Sequence, residues 1–367
     1  MHVRFMNLSM KTKKQRKPYI KVFRETLKSG IFIMGNEVEK FEEDVSNYTG
    51  SKYSIGVSSG TSALILALKA YNIKDGDEVI IPDISFIATA NAVSQVGAKV
   101  IFCDVNDDFN IDVKAIKKLI TSKTKAIIPV HYGGKMADIF KINKIAKKYN
   151  LIVIEDASQS FGSRKSNKMA GTIGDIGCFS LNPMKPLGAL GEAGLITTSS
   201  KRVAKKLKML RYNGLNSKKK CTYKSFNAKI DAMQASFLSI RLKELEATIK
   251  KRNEYAQYYN KHLSKYCITP KINKNNEDTV FAYTILVDKS KRDALVQYLI
   301  ANNIEVKINH LSMHKEPAYI NTNKNSLINS KRVSKMKLAL PCHENLKLSE
   351  IKYVIKKIKK FFTEGND

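Results

Sequence analysis

The chain has 367 residues, of which 43% are hydrophobic, and it carries a formal net charge of +31. No stretch approaches the roughly 18 unbroken apolar residues of a membrane span, and the basic N-terminus lacks the apolar segment of a secretory signal. We therefore expect a soluble cytoplasmic protein that has no membrane partner. The five cysteines are scattered and form no cluster with histidine, which argues against a disulfide framework and against a metal site.

The positive charge allows two interpretations, since an excess of lysine attracts either nucleic acid or small phosphorylated substrates. The lysines are spread over predicted helices, for example in 114–120, 201–210 and 351–362, and no zinc-finger, RNA-recognition or basic-zipper pattern accompanies them. We expect solvated helix faces and no nucleic-acid partner.

Short apolar runs alternate with helical patterns in the first 200 residues. Helical periodicity covers 61–73, 85–97 and 139–150. The alternation predicts an α/β fold, in which a mostly parallel sheet of seven strands lies between helices. The seven predicted strands are 54–59, 78–82, 99–105, 125–131, 151–157, 176–181 and 194–199.

A second, smaller α+β unit follows a long helical pattern at 231–266. We predict an N-terminal arm at 1–30, a large domain at 31–245 and a small C-terminal domain at 246–367. The predicted elements of the small unit are a strand at 280–288, a helix at 291–303, a strand at 304–308 and a closing helix at 349–362.

The segment Ser58-Ser59-Gly60-Thr61 lies where a predicted strand ends and an apolar helix begins. A helix N-terminus with hydroxyls and a glycine can hold a phosphate, and it can equally be an ordinary N-cap. The segments 131–138 and 171–177 fail the P-loop and dinucleotide patterns, so neither ATP nor NAD is indicated.

Asp156 ends a fully apolar predicted strand, at the sheet edge where ligands of α/β proteins bind. A carboxylate there can hold a proton on a heterocyclic nitrogen, or it can cap the next segment. Gln159 and Phe86 are candidates to hydrogen-bond and stack on a planar ring, although Phe86 considered alone predicts a core residue.

Lys185 lies in an apolar turn after a predicted strand, between Pro183 and Pro186. Burying a charged lysine is costly, so this amine is expected either to reach a partner or to lose its charge by covalent chemistry such as a Schiff base with an aldehyde. Together these features predict a binding site for pyridoxal phosphate. They are a helix N-terminus for the phosphate, an acid for the ring nitrogen, an aromatic ring to stack on the pyridine and a lysine to form the Schiff base.

Five segments in chain order resemble successive motifs of the DegT-type sugar aminotransferases, which belong to the fold-type-I pyridoxal-phosphate enzymes. The resemblance runs from about Gly35 to the segment near residue 351. It implies an aspartate-aminotransferase-like large domain and a homodimer with shared active sites. The segments are GTSAL, PDISFIATANAV, EDASQSFG, GCFSLNPMKPLGALGEAG and SFNAKIDAMQA.

The resemblance also implies individual roles. Lys185 and Asp156 are the expected catalytic residues, and Asn227 is expected to reach the cofactor phosphate of the neighbouring subunit. The expected cofactor-binding residues are Gly60, Thr61, Ser62, Phe86, Asp156, Gln159, Ser180, Lys185 and Asn227. The expected substrate residues are Gly35, Glu192, His310 and His314.

The predicted activity is the transfer of an amino group from an amino acid to a nucleotide-linked keto-deoxy sugar. The family resemblance implies that the amino donor is glutamate and that the product is used to build a surface glycan. Pyridoxamine phosphate is the alternate cofactor form. The sequence departs from the family at Lys229, where arginine is frequent, and at Asn309-His310. The acceptor therefore stays open, with a non-nucleotide keto sugar acid or a phosphorylated ketone as alternatives. Two other classes of protein stay open. One is a sugar dehydratase, in which histidine replaces the lysine. The other is a basic nucleic-acid-binding protein on a decayed enzyme fold.

Overall fold

The computed structural model describes residues 1–272, 278–308, 311–320 and 326–364. Within these ranges the chain forms one seven-stranded sheet, two two-stranded sheets and the helices that cover them. The strands are β1 Tyr53–Val57, β2 Glu78–Pro82, β3 Lys99–Cys103, β4 Thr124–Ile127, β5 Ile152–Asp156, β6 Arg164–Lys165, β7 Lys168–Met169, β8 Ile176–Ser180, β9 Gly194–Thr198, β10 Tyr283–Leu286 and β11 Lys337–Leu340. The helices are α1 Lys13–Ser29, α2 Asn36–Thr49, α3 Gly60–Ala70, α4 Ala88–Gln95, α5 Val113–Leu119, α6 Ile139–Tyr149, α7 Lys201–Arg211, α8 Ala232–Leu242, α9 Leu245–Leu263, α10 Arg292–Ala301, α11 Ile328–Met336 and α12 Leu348–Glu364.

The large sheet has the strand order β1-β9-β8-β5-β4-β2-β3. Only β9 is antiparallel to its neighbours, so the remaining six strands all point the same way. Each of these strands coincides with an apolar run of the sequence, and the predicted α/β fold is confirmed. The parallel arrangement brings the carboxyl ends of β1, β2, β5 and β8 to one edge of the sheet, where ligands bind in open α/β folds.

Both faces of the large sheet are covered by apolar side chains. Along β2, Val79 and Ile81 join one buried cluster with α3 and α4, whereas Ile80 joins a second cluster with α2 and α6. This division follows from the two-residue repeat of a strand, and burial on both faces explains why the strand reads as a continuous apolar run.

The helical pattern at 231–266 forms two helices, α8 and α9, which are separated by Lys243 and Glu244. The break allows α9 to leave the large sheet. Leu245 and Ile249 at its start pack in the second cluster, while Tyr259 and Leu263 near its end pack in a third cluster. The long helical pattern is therefore divided between two helices.

The third cluster surrounds the antiparallel pair β10–β11 together with α10 and α12. The predicted strand at 304–308 is wrong, because this segment makes only isolated bridges, Ile304 to Val3 and Lys307 to Ala339. Val3, in the predicted N-terminal arm, is fully buried in this third cluster. The domain boundaries themselves stay predictions. Across the described ranges, no helix combines the length and apolar character that a bilayer crossing requires.

Candidate active site

The turn from β1 into α3 joins the end of β8. Ser59 is the N-cap of α3, and its Oγ accepts a hydrogen bond of 3.0 Å from the Ser62 backbone N–H. The Ser62 hydroxyl lies 2.9 Å from that of Ser58. A Cβ added at Gly60 would lie 2.7 Å from Ser180 Cβ, so glycine is needed for this close approach. Gly60, Thr61, Ser62 and Ser180 therefore surround one helix N-terminus, where backbone N–H groups and the helix dipole favour an anion.

Asp156 and Glu155, neighbours at the end of β5, have different surroundings. Asp156 is only 3% exposed, and its Oδ2 accepts a 2.8 Å hydrogen bond from Thr89 Oγ1, while Oδ1 accepts one of 3.2 Å from the Ser158 N–H. Asp156 therefore also caps the segment that follows β5, as the sequence allowed. The hydroxyl of Thr89, which sequence reasoning missed, fixes the carboxylate at the functional edge of the sheet.

Glu155 points to the opposite face, as the pleat requires. Its carboxylate accepts hydrogen bonds from His131 Nε2 at 2.8 Å and from the N–H groups of Gly171 at 2.9 Å and Ile173 at 2.7 Å. Since His131 Nδ1 accepts from the Ala137 N–H, the ring proton lies on Nε2 and is donated to Glu155. Glu155 therefore ties the loop before β8 to the scaffold.

Lys185 lies in the loop after β8, and its backbone N–H donates to the Asn182 carbonyl at 2.8 Å. Its Nζ lies 4.6 Å from the ring centroid of Phe281. Within the described ranges, no carboxylate forms an ion pair with this amine. Burial lowers the pKa of Lys185 to about 8, although the nearby charges of Asp156 and Glu192 act in the opposite direction. Phe281 was missed because it lies within an apolar run that reads only as a strand.

The ring-facing candidates lie at the same sheet edge. Phe86 follows β2 and is 54% exposed, so the alternative that it is a core residue is wrong. Gln159 is buried, and its Oε1 accepts a 2.8 Å hydrogen bond from the Gly133 N–H, which leaves its amide nitrogen available to donate.

The predicted substrate residues have mixed surroundings. Glu192 accepts a 2.6 Å hydrogen bond from Asn182 Nδ2, close to the Lys185 loop. His314 Nδ1 lies 2.9 Å from each carboxylate oxygen of Asp83, a fully buried residue that directly follows β2. This pairing places a proton on Nδ1, which donates to the Asp83 carboxylate. Asp83 could not be singled out by sequence reasoning, because an acid after a strand is commonly a cap.

Two of the predicted site residues make no contact within the described ranges that indicates a ligand, and a third lies outside these ranges. Gly35 has φ +90° and is the N-cap of α2, so its glycine identity follows from the backbone conformation. Asn227 is exposed, and its Oδ1 accepts a 3.4 Å hydrogen bond from the Lys229 N–H. His310 lies outside the described residues, as does Asn309.

Comparison with known proteins places this chain in a family. The family model described as the DegT/DnrJ/EryC1/StrS aminotransferase family matches residues 13–359. The chain is 34% identical over 370 residues to a pleiotropic regulatory protein of Geobacillus stearothermophilus, covering 99% of each chain. It is 36% identical over 362 residues to the dTDP-3-amino-3,6-dideoxy-alpha-D-galactopyranose transaminase of Aneurinibacillus thermoaerophilus, covering 97% of this chain and 99% of the relative.

A solved structure supports the same relationship. The crystal structure of NtdA from Bacillus subtilis with bound cofactor PMP superimposes with a TM-score of 0.91 at 31% identity, covering 98% of this chain and 84% of that one. The pyridoxal-phosphate prediction accords with this relative, which holds the pyridoxamine form. The family and the enzyme class predicted from the sequence are confirmed: the chain belongs to the DegT/DnrJ/EryC1/StrS aminotransferase family.

Proposed function

We propose that the chain transfers an amino group from an amino acid, glutamate in the simplest case, to the keto group of a nucleotide-linked sugar, with pyridoxal phosphate as cofactor. The observation that carries the proposal is the Lys185 amine, which is partly buried, has no ion-pair partner among the described residues and has its pKa lowered to about 8. A lysine amine in this state is suited to holding an aldehyde cofactor and to moving a proton.

The surrounding residues fit this cofactor. The α3 N-terminus with Gly60, Thr61, Ser62 and Ser180 would hold the phosphate, and the exposed ring of Phe86 would cover one face of the pyridine. Asp156, held by Thr89, would keep a proton on the ring nitrogen. When bound, the cofactor would supply the electron sink for breaking the Cα–H bond of the amino donor.

The residues of the chain then manage protons and orientation. Lys185 Nζ would take the Cα proton of the donor, because an amine with a pKa of about 8 is partly unprotonated near neutral pH. Gln159 would donate its amide hydrogen toward the ring. Nε2 of His314, whose ring is oriented by Asp83, would hydrogen-bond with a hydroxyl group of the acceptor.

The proposed acceptor rests on the relatives and on charge. The relative from Aneurinibacillus thermoaerophilus is named for a dTDP-linked amino sugar. A formal net charge of +31 would attract the diphosphate of such a substrate and raise its association rate.

The direct test is to incubate the purified protein with glutamate, pyridoxal phosphate and dTDP- or UDP-linked keto sugars, and to identify the product by mass spectrometry. An amino sugar is expected with wild type, and its rate of formation should be about 10³-fold lower with Lys185→Ala. The control is Lys251→Ala, which removes a lysine that lies 5.7 Å from the Tyr255 ring centroid on α9. Loss of a sugar hydroxyl without amino transfer would contradict the proposal and indicate a dehydratase.

We also propose that the enzyme is a homodimer in which Asn227 serves the neighbouring subunit. Six large apolar residues on α1 and just after it are each at least 46% exposed, which is more than an isolated monomer needs to expose in one region. They are Ile20, Phe23, Leu27, Ile31, Phe32 and Ile33.

Shared sites can be tested by subunit exchange between inactive Lys185→Ala and Asn227→Ala proteins. A mixed dimer would contain one site in which both residues are intact, so activity is expected to return on mixing. Absence of any recovery, with exchange shown by a tag on one protein, would mean that the two residues act in the same subunit.

A further inference from the structure

A cavity of about 350 Å³ lies beside the active site but on the other side of the Tyr132–Gly134 turn. It is formed by the loop after β3, by this turn and by the segments that flank and form β10. Its apolar walls include Phe109, Tyr132, Val280, Tyr283 and Leu286. The volume is within the range of small-molecule sites, which are frequent where two packed units of a chain meet.

Two polar side chains in the cavity wall have no hydrogen-bond partner among the described residues. Asp278 is 7% exposed and Thr284 is 6% exposed. The Thr284 hydroxyl is buried and unpaired. The Asp278 carboxylate lines the cavity, and it makes neither a hydrogen bond nor an ion pair within the described ranges. Because buried polar groups are nearly always hydrogen-bonded, the Thr284 hydroxyl points to an occupant of the cavity, and Asp278 supplies a negative charge in the same wall.

Three of the other four charged side chains of the wall form ion pairs within the described residues. Lys135 pairs with Asp108 at 3.4 Å and donates to the Lys271 carbonyl at 3.3 Å, and Asp107 pairs with Arg332. The side chain of Lys271 is exposed at the rim. Among the described residues, Asp278 is therefore the acidic side chain of the wall that forms no ion pair.

We propose that this cavity binds a small organic cation, whose charged nitrogen lies against Asp278, whose polar group bonds the Thr284 hydroxyl, and whose apolar part contacts Phe109 and Tyr132. Carboxylates and aromatic faces are the groups that bind ammonium ions with alkyl substituents. The cation is held in addition to the cofactor and the substrates of the transfer reaction.

The wall of the cavity is continuous with the wall of the active site. Val280 and Ala282 line the cavity, and Phe281 between them contacts Lys185. Val280 has φ +46°, a strained conformation for a β-branched residue, and such strain is concentrated at functional sites. The two sites are thus neighbours that do not share these side chains, and the cation should bind with the cofactor in place.

The test uses the holoenzyme and choline, which has a permanent positive charge and a hydroxyl but no primary amine to react with an aldehyde. Calorimetric titration is expected to show binding. The neutral isostere, in which carbon replaces the quaternary nitrogen, is expected to bind at least about tenfold more weakly. Equal binding of the two, or no binding of choline up to about 10 mM, would overturn the proposal.

The pH dependence gives a second readout. Burial raises the pKa of Asp278 to about 7, while Lys135 and Lys165 act to lower it and Asp108 acts to raise it further. Only the ionised carboxylate attracts a cation, so the affinity for choline should rise about tenfold from about pH 6 to about pH 8. An affinity that is flat or falls over this range would contradict the assignment of Asp278.

Substitutions at Asp278 and Thr284 distinguish the contributions of these two residues to choline binding. Asp278→Asn should weaken choline binding about tenfold and abolish its pH dependence, and Thr284→Val should weaken it with the pH dependence retained. Glu254→Gln, an exposed carboxylate on α9, is the charge-matched control and should bind as wild type. Unchanged choline binding in Asp278→Asn, or loss of binding when the apoenzyme is loaded with cofactor, would overturn the proposal.

Discussion

The loop after β8 and the start of β11 each contain a lysine whose pKa is lowered chiefly by burial, to about 8 for Lys185 and to about 7 for Lys337. Lys185 is partly accessible and lies at the edge where the six parallel strands of the large sheet end. Lys337 is completely buried, with its Nζ 5.8 Å from the ring centroid of Phe109. A lowered pKa therefore does not by itself identify a catalytic amine, and access to a substrate decides between the two.

Removing each amine in turn tests most directly whether accessibility separates the roles of the two lysines. Lys185→Ala is expected to lower the rate of amino transfer by about 10³-fold, because the group that moves the proton is lost. Lys337→Met, which keeps the length of the side chain, should leave the rate within about twofold. Both rates are measured by mass spectrometry of the amino sugar. Comparable losses in the two variants would mean that accessibility does not separate the two lysines.

The adjacent carboxylates of β5 offer the same comparison within one strand. Asp156→Ala should retain cofactor yet lose about 10²-fold in rate, since the proton on the ring nitrogen is no longer held. Glu155→Gln should instead lower the free energy of unfolding by about 2 kcal/mol, because a buried amide cannot accept the hydrogen bonds that the carboxylate accepts.

Paired measurements of rate and of denaturant unfolding distinguish these two effects. If Asp156→Ala changed only stability, or Glu155→Gln lost only rate, the assignment of one residue to the site and the other to the scaffold would be reversed.

Lys337 should make the stability of the protein depend on pH. Its pKa is about 7 in the folded state and 10.5 in the unfolded state, so the unfolded state binds more protons between these values. The free energy of unfolding should therefore rise with pH across this window, with a contribution of about 1.4 kcal/mol per pH unit from this residue. The slope, measured by urea unfolding, should fall by that amount in Lys337→Met. An identical slope in both proteins would refute the effect of burial.

How far the sequence predicts this molecule depends on whether the signal is local. The seven strands of the large sheet were predictable because each contains a short apolar run that is buried in the sheet. Asp156 and Lys185 were predictable because Asp156 ends one such run and Lys185 lies in the turn after another. The break between α8 and α9 has neither proline nor glycine to mark it, since it is set by packing on two different clusters.

The site residues that were missed depend on distant partners. Thr89 contacts Asp156, which is 67 residues away, and Asp83 contacts His314, which is 231 residues away. Neither pairing leaves a pattern in the local sequence, since a threonine in a helix and an acid after a strand are common in any fold. The cavity wall at Asp278 and Thr284 was missed for the same reason, because it exists only once β10 packs against the turn at Tyr132–Gly134.

Two phenylalanines extend the comparison to side chains without charge. Phe86 follows β2 and is 54% exposed, whereas Phe109 follows β3, is 4% exposed and packs on Tyr132 at a centroid distance of 4.9 Å. Phe86→Ala should change the free energy of unfolding of the apoenzyme by less than about 0.5 kcal/mol, because little apolar area is buried there. It should weaken cofactor binding about fivefold, the value of a lost ring contact of about 1 kcal/mol.

Phe109→Ala should show the opposite balance, with a loss of about 3 kcal/mol in stability from the cavity it leaves. Absorbance titration of each apoenzyme with pyridoxal phosphate, beside urea unfolding of the same samples, measures both quantities. Unchanged cofactor affinity in Phe86→Ala would remove this ring from the site. Its exposure would then need another explanation, for which the neighbouring subunit of the proposed dimer is the candidate.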